Sequence, residues 1–297
     1  MRLTALIPAL CCTAALILSF LCLFAGHKKD FMEDYSLLTL NTSAVGQTLL
    51  TPSDDDSLVT DIIDLIPESI SSSITETINS EIDELRARLG IEDWYSAHML
   101  NYCAGQYEPE EAANATLSQD DISKNVTGCV GQRAMYKFEP TRIIQDALDK
   151  TGVDVTLEDL HWPEDIQDGI DALNALMAAM FVLYVIAICL IFVALVAAIV
   201  AVLTSGRLSA FINVLIATLA FLAIGLASAL VTAVVVKATD IINDKGEDIG
   251  LAASWGGKFL ALTWVATALM LIVVLAWIVE FCMGRRRKNR QSYAKHG

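Results

Sequence analysis

The sequence predicts an all-α membrane protein: a four-transmembrane-helix bundle with a large, disulfide-closed and mostly helical extracellular loop between helices 1 and 2. Three observations support this fold class. Four long apolar runs divide the 297 residues, three N-glycosylation acceptor triplets lie together in the polar segment between the first two runs, and charge is unevenly distributed along the chain. An apolar helix of about 20 residues crosses roughly 30 Å of hydrocarbon and satisfies its own backbone hydrogen bonds there.

The apolar runs set the expected organisation of the chain. The first run is longer than the roughly 7 to 15 apolar residues of a cleaved secretory signal, so we expect it to be retained as a helix. The middle two runs are so close that they must form an antiparallel hairpin, with Gly206 in the turn and Arg207 as a cytoplasmic anchor. The expected segments are a cytoplasmic N-terminus (1–3), helix 1 (4–26), the extracellular domain (27–171), helix 2 (172–203), a cytoplasmic turn (204–207), helix 3 (208–236), a short extracellular loop (237–258), helix 4 (259–283) and a basic cytoplasmic tail (284–297).

Charge and acceptor triplets independently predict the same topology. The formal net charge is −15, but 30 acidic and 9 basic residues lie between His27 and Asp171, so the rest of the chain is net positive. The positive-inside rule then places both termini in the cytoplasm. The three acceptors lie in the acidic loop, as expected for a segment that faces the secretory lumen and then the outside: Asn41, Asn114 and Asn125. An acidic total does not indicate nucleic-acid binding.

The apolar runs contain no ionisable residue near their centres, which argues against a channel or transporter. Their mild polar residues are expected to form interhelical hydrogen bonds or to lie near an interface: Asn174, Asn213, Ser228, Thr232, Thr263 and Thr267. The third run is rich in small residues, mostly alanine, so we expect it to be the most closely packed helix of the bundle. Contacts between copies of the chain are an alternative use of those small residues.

Two cysteines, Cys103 and Cys129, lie apart from the apolar runs, and an oxidising compartment would join them. Closing a loop of about 25 residues removes on the order of 3 kcal/mol of unfolded-chain freedom in the entropic model. The alternative is a pair of free or metal-binding thiols, but no nearby histidine or third cysteine completes a zinc-like spacing. We therefore predict one disulfide, no metal and no cofactor.

The loop also contains helical patterns. Residues 73–89 and 140–152 carry apolar side chains at helical spacing, and a third helix is expected to open at Pro163 and to continue into helix 2. The stretch 51–57 is interpreted as a solvated acidic loop without a calcium-binding pattern. No nucleophile–base pair, metal cluster or phosphate loop is found, so we expect no catalytic residues and no enzyme activity.

The run Trp94-Tyr95-Ser96-Ala97-His98-Met99-Leu100-Asn101-Tyr102-Cys103-Ala104-Gly105, followed by Gly128-Cys129, resembles the extracellular signature of a fungal four-span family. That family contains the eisosome-associated cortical-patch proteins and the pH-response regulator PalI. The large first loop, short turn and basic tail also match it. The family motif falls on Trp94, Tyr95, Tyr102, Cys103, Gly105, Gly128 and Cys129. The chain is more distantly similar to the claudin superfamily, but His98, Met99 and Leu100 replace its Gly-Leu-Trp, which argues against paracellular sealing.

The resemblance implies a non-enzymatic plasma-membrane organiser that supports membrane domain structure, endocytosis and cell wall integrity. The alternative is a PalI-like accessory of an alkaline pH-sensing pathway. Expected partners are membrane lipids, a second copy or sister four-span proteins, and cell wall or eisosome components. A basic cluster after helix 4 either binds anionic lipid or only sets topology, and Cys282 beside it is either palmitoylated or a buried thiol. The cluster consists of Arg285, Arg286, Arg287, Lys288 and Arg290.

Overall fold

The computed structural model describes residues 6–29, 31–43, 92–108, 123–137, 164–203, 207–246 and 251–294. The chain divides into two compact units. The first comprises Met1–Ala25, Leu176–Val234 and Gly257–Gly297, and the second comprises Gly26–Ala175 and Val235–Gly256. The two predicted loop helices, 73–89 and 140–152, and the acidic stretch 51–57 lie outside the described residues.

Within the described residues, four helices are long and apolar enough to cross a membrane, as the sequence predicts. The helices are α1 (Leu6–Phe24), α2 (Glu164–Leu203), α3 (Arg207–Gly246) and α4 (Gly257–Ala294). Their candidate spans are Leu6–Phe24, Asn174–Val202, Leu208–Asp244 and Gly257–Met283. The helix that was expected to continue into the second span does so without a break from Glu164.

The interior of the first unit is built from small side chains. Along α3, the buried positions recur at helical spacing of three and four residues, and they are mostly alanine: Ala217, Ala220, Ile224, Ala227 and Val231. Large leucines occupy the outward positions of the same helix, for example Leu219 and Leu226. Small residues inside allow neighbouring backbones to approach, and bulky apolar residues outside suit contact with lipid.

A cluster of hydroxyl groups joins three helices inside this unit. The Tyr184 hydroxyl of α2 donates to Thr263 Oγ1 of α4 at 2.6 Å. Ser228 Oγ of α3 lies 2.7 Å from Thr263 Oγ1 and 2.9 Å from Thr267 Oγ1. All four side chains are buried, and Cys22 of α1 contacts the Tyr184 hydroxyl. Of the polar residues predicted in these helices, Ser228, Thr263 and Thr267 thus form interhelical hydrogen bonds with one another. Asn213 differs, because its Nδ2 donates to the Ser209 carbonyl of its own helix.

The described residues of the second unit form a five-stranded antiparallel sheet in the order β4-β3-β2-β1-β5. The strands are β1 (Leu38–Asn41), β2 (Trp94–Ala97), β3 (Tyr102–Glu108), β4 (Ser123–Cys129) and β5 (Ala252–Trp255). The expectation of an all-α fold is therefore corrected. Strands of four to seven residues are shorter than the window over which periodicity separates strand from helix, and their pairing brings together residues far apart in sequence.

The short loop predicted at 237–258 contributes one strand, β5, to the sheet. Helix α3 continues past residue 236 to Gly246, and β5 then adds to the sheet beside β1 before α4 begins at Gly257. The close approach of β5 to β1 requires a glycine at 256, because a Cβ there would collide with the Ser36 backbone carbonyl. The Gly256 amide donates to the Leu37 carbonyl at 2.9 Å.

We expect Thr263→Val to destabilise the helical unit by about 1 kcal/mol, because the substitution removes the group that accepts from Tyr184 and pairs with Ser228. Thr218→Val is the matched control, since the Thr218 hydroxyl bonds the Val214 carbonyl of its own helix. The measurement is the midpoint of thermal unfolding of the purified protein in detergent. An equal fall in both variants would contradict a special role for the hydroxyl cluster.

Candidate functional site: the disulfide-closed sheet

The sequence run 94–105 folds as β2, a tight turn and β3, and it forms the centre of the sheet. Trp94 and Ser96 are buried on one face, whereas Tyr95 and Ala97 are half-buried on the other. Trp94, Cys103 and Val126 form the core of this module, with Tyr107 and Cys129 packed against it. The alternation of a strand therefore sends the tryptophan of the motif into the core.

The predicted disulfide is present in the structure and joins neighbouring strands. Cys103 of β3 and Cys129 of β4 are register partners, and their sulfurs are bonded at 2.03 Å. Cys103 has no exposed surface. A covalent link at a strand pair beside a buried tryptophan fixes both the register of the two strands and the packing of the module core.

The two glycines of the motif have different structural settings. A Cβ on Gly105 would collide with the Asn125 backbone carbonyl and with the indole of Trp94, so only glycine allows β4 and Trp94 to approach β3 this closely. A Cβ on Gly128 would meet nothing within 4 Å. The described structure gives no packing reason for glycine at 128.

The turn between β2 and β3 is organised by Asn101, to which the sequence analysis gave no role. Its side chain is fully buried, and Nδ2 donates to the Gly26 carbonyl at 2.7 Å and to the Val130 carbonyl at 3.0 Å. The backbone amide of His98 donates to the Asn101 carbonyl at 2.9 Å and closes the turn. Asn101 thus joins the segment after α1, the turn and the segment after β4. The one feature of the sequence that could have indicated this role is the position of a polar residue between Leu100 and Tyr102.

His98 is a buried packing residue of the turn. Its ring is 1% exposed and lies against Gly26, where φ is +68° and where a Cβ would collide with the imidazole. Nε2 lies 3.3 Å from Ser96 Oγ. Burial lowers the pKa of His98 to about 4, against a smaller opposing effect of the Tyr35 backbone. The fold therefore holds a neutral imidazole.

Polar contacts also fix the edge of Trp94 and the end of β3. Trp94 Nε1 donates to the Gln106 carbonyl at 3.3 Å, and Lys124 Nζ lies 5.4 Å from the centre of its ring. The Tyr107 amide donates to Asp93 Oδ2 at 2.9 Å. Burial, together with the Asp93 carboxylate, raises the pKa of Tyr107 to about 12.

The opposite face of the sheet carries a row of tyrosines. The ring centres of Tyr95 and Tyr102 are 6.2 Å apart, and those of Tyr102 and Tyr136 are 6.0 Å apart. All three rings are half-buried. The motif tyrosines Tyr95 and Tyr102 thus lie together on the face away from Trp94.

The structure places two of the three glycosylation acceptors in strands. Asn41 ends β1, and its Oδ1 accepts from the Ser43 amide at 2.9 Å and from the Ser43 hydroxyl at 2.7 Å. Asn125 is exposed in β4. Asn114 lies outside the described residues. Glycosylation at the three positions stays a prediction.

The predicted basic cluster, Arg285–Arg290, lies in the last part of α4, whose backbone is helical as far as Ala294. Cys282 is exposed and reduced, so the alternative that its thiol is buried does not hold within this chain. Neither finding tests lipid binding or palmitoylation, which remain predictions.

Several polar side chains of the motif bond the backbone of the sheet, whereas Asn101 Oδ1 is buried without a hydrogen-bond partner among the described residues. Asn101 and Trp94 donate to backbone carbonyls, and Cys103 is oxidised. Within the described ranges, no group of three histidine, cysteine, aspartate or glutamate side chains is placed to hold a metal ion. The arrangement fixes the register of the strands and the packing of the module core.

These features define a class: a multi-pass membrane protein with four long apolar helices and a disulfide-closed sheet. Residues 4–276 match the model of the SUR7/PalI family, and the chain belongs to that family. The resemblance carried by Trp94–Gly105 and Gly128–Cys129 is thereby confirmed. The family indicates a membrane-associated cortical or pH-response role and is not a known enzyme family. No curated protein matches the chain.

The burial of His98 predicts acid sensitivity of the module. Because the folded pKa of about 4 lies below the ordinary value of 6.5, the unfolded state binds the proton first, and stability falls as pH is lowered from 6.5 to 4. The expected loss from this group is about 3 kcal/mol. We expect His98→Gln to flatten this pH dependence of thermal unfolding, measured between about pH 7.5 and about pH 4.5. His27→Gln, at an exposed position, is the control. An unchanged pH dependence in His98→Gln would contradict the assignment.

Proposed function

We propose that this protein is a non-enzymatic organiser of the plasma membrane, of the eisosome or cortical-patch type. The observation that supports it best is how the characteristic polar residues of both units are used. The bundle hydroxyls of Tyr184, Ser228, Thr263 and Thr267 bond one another, and Asn101 of the sheet motif bonds backbone carbonyls. Residues bonded in this way stabilise a fixed shape, which suits a building element of a membrane domain better than a catalyst or carrier.

The proposed topology places the sheet outside the cell and both termini in the cytoplasm. Disulfides persist in oxidising compartments, so the Cys103–Cys129 bond supports an external position for the loop between the first two spans. The excess of acidic residues in that loop and of basic residues in the tail supports the same orientation.

The outer faces of the helices are proposed to contact lipid and neighbouring four-span molecules. Exposed leucines and valines cover these faces, whereas the small residues of α3 point inward. Trp264 is half exposed, and its Nε1 donates to Thr232 Oγ1 at 3.1 Å, so its ring is held in a defined orientation at the surface. Such rigid aromatic groups are effective anchors in membranes and interfaces.

The tail of α4 is proposed to bind the anionic inner leaflet. Each basic residue near such a surface contributes about 1 kcal/mol. The run Arg285–Lys288 follows directly after the candidate span that ends at Met283, so it would lie at the headgroup level. Exposed Cys282, immediately before this run, is proposed as a palmitoylation site.

The external sheet is proposed to meet cell wall components or sister molecules.

The family also includes a pH-response role, but the two described groups outside the spans whose pKa values are clearly shifted give no support for direct alkaline sensing. Outside the spans, the two groups with clearly shifted pKa values are His98, near 4, and Tyr107, near 12. Neither titrates in a mildly alkaline range.

A channel or transporter would keep polar groups open to a pathway, whereas the bundle hydroxyls bond one another.

The test is live imaging of a C-terminal fluorescent fusion together with an eisosome marker, in normal medium and after an alkaline shift. The proposal predicts immobile cortical patches that coincide with the marker and recover slowly after photobleaching. Replacing Arg285–Lys288 by glutamine should weaken patch retention, and replacing Arg285, Arg286 and Arg287 by lysine, which keeps the charge, is the matched control. Diffuse or internal signal, with failure of a pH-sensing receptor to reach the surface when the gene is deleted, would support the accessory role instead.

A further inference from the structure

The two edges of the sheet are protected differently. In the order β4-β3-β2-β1-β5, the strands β4 and β5 each have one side without a strand partner among the described residues. An edge strand exposes backbone amides and carbonyls that can pair with another chain, and native proteins cover or disrupt such edges.

The β5 edge is closed by a side chain. Asn243 of α3 donates from Nδ2 to the Ala253 carbonyl at 3.1 Å and accepts at Oδ1 from the Ala253 amide at 2.7 Å. A carboxamide presents the same donor and acceptor pair as a peptide group, so Asn243 occupies the position of a sixth strand at this residue. The β5 edge is therefore unavailable for pairing at Ala253.

The β4 edge differs from the β5 edge because it contains a β-bulge. Val126 is 3% exposed and enters the core, whereas Asn125 and Thr127 on either side of it are exposed. Gly105 pairs with Val126 and Ala104 pairs with Gly128, so Thr127 is an extra residue in a β-bulge. The Thr127 hydroxyl lies 2.9 Å from Glu92 Oε1 and 3.0 Å from the Ala104 carbonyl, which holds this bulge to the sheet.

The exposed residues Asn125 and Thr127 are the first and last residues of an acceptor triplet, Asn125-Val126-Thr127. The triplet at Asn41 differs, because β1 is flanked by β2 and β5 and has no open edge. The Asn125 side chain is exposed, and its Nδ2 donates to Glu108 Oε1 at 2.8 Å on the surface. An amide nitrogen that carries a sugar keeps one hydrogen, so this contact is compatible with modification.

We propose that Asn125 carries an N-linked glycan and that this glycan covers the β4 edge, as the Asn243 amide covers the β5 edge. In the transfer, the Asn125 amide nitrogen forms a bond to the anomeric carbon of an oligosaccharide on a polyprenyl pyrophosphate. The bond from that carbon to the pyrophosphate oxygen breaks, the pyrophosphate leaves with the electron pair, and the amide nitrogen loses a proton. The glycan thereby prevents the β4 strand of a second copy of the chain from pairing with this edge. The proposal relies on the external orientation of the loop.

The test uses the full-length protein made in secretory cells and purified in detergent. N125Q removes the acceptor without adding a charge to β4, whereas N125K removes the acceptor and adds a second lysine beside Lys124 on the same edge. T127S is the matched control, because it keeps both the acceptor triplet and a hydroxyl at the bulge. Retention of the Cys103–Cys129 bond, checked by peptide mapping, shows that each variant is folded.

N125Q and N125K are expected to lose one N-glycosidase-sensitive step in gel mobility, and T127S is expected to keep it. In size measurement by light scattering, N125Q should shift to dimers or larger species relative to the natural chain. N125K and T127S should match the natural chain.

An unchanged glycosidase step in N125Q would overturn the glycan assignment. A lost step with no change in size, or association of N125K to the same extent as N125Q, would overturn edge protection. If the loop between the first two spans faced the cytoplasm, all three acceptors would be unmodified. If only Asn125 lacked a glycan, the other acceptors and the proposed organiser role would be unaffected.

Discussion

The rest of the sheet module depends on the closure of β3 onto β4 beside Trp94. The Cys103–Cys129 bond fixes the register of these strands, and Gly105 leaves the space that lets the indole and β4 approach β3. Asn101 then bonds the carbonyls of Gly26 and Val130, so segments from three places in the chain meet at one turn. The small core of this module is therefore stabilised by a covalent link and by buried hydrogen bonds that do not compete with solvent.

The helical unit follows the same principle without a covalent link. Lipid offers no hydrophobic driving force between helices, so small side chains and interhelical hydrogen bonds provide the association. Tyr184, Ser228 and Thr263 supply those bonds from three different helices. Both units therefore use their polar residues to define shape, which is the property that the proposed organiser role requires.

The four helices could be predicted because long apolar runs carry a strong local signal, and the disulfide because two cysteines lie apart from those runs. The sheet could not. Trp94–Ala97 and Ala252–Trp255 are four residues long, and β5 joins β1 across more than half of the chain. The role of Asn101 depends on Gly26, 75 residues earlier, and such a contact leaves no mark in local spacing. The motif can therefore be recognised in the sequence, but the hydrogen bonds that explain it cannot.

Hydrogen exchange of a Cys103→Ser/Cys129→Ser double variant in detergent tests the central claim most directly. If the disulfide closes the module, amides in β3 and β4 should exchange on the order of 100-fold faster than in the natural chain, as expected for a contribution of about 3 kcal/mol. Amides in the candidate spans should keep their protection. Unchanged exchange in β3 and β4 would contradict the account.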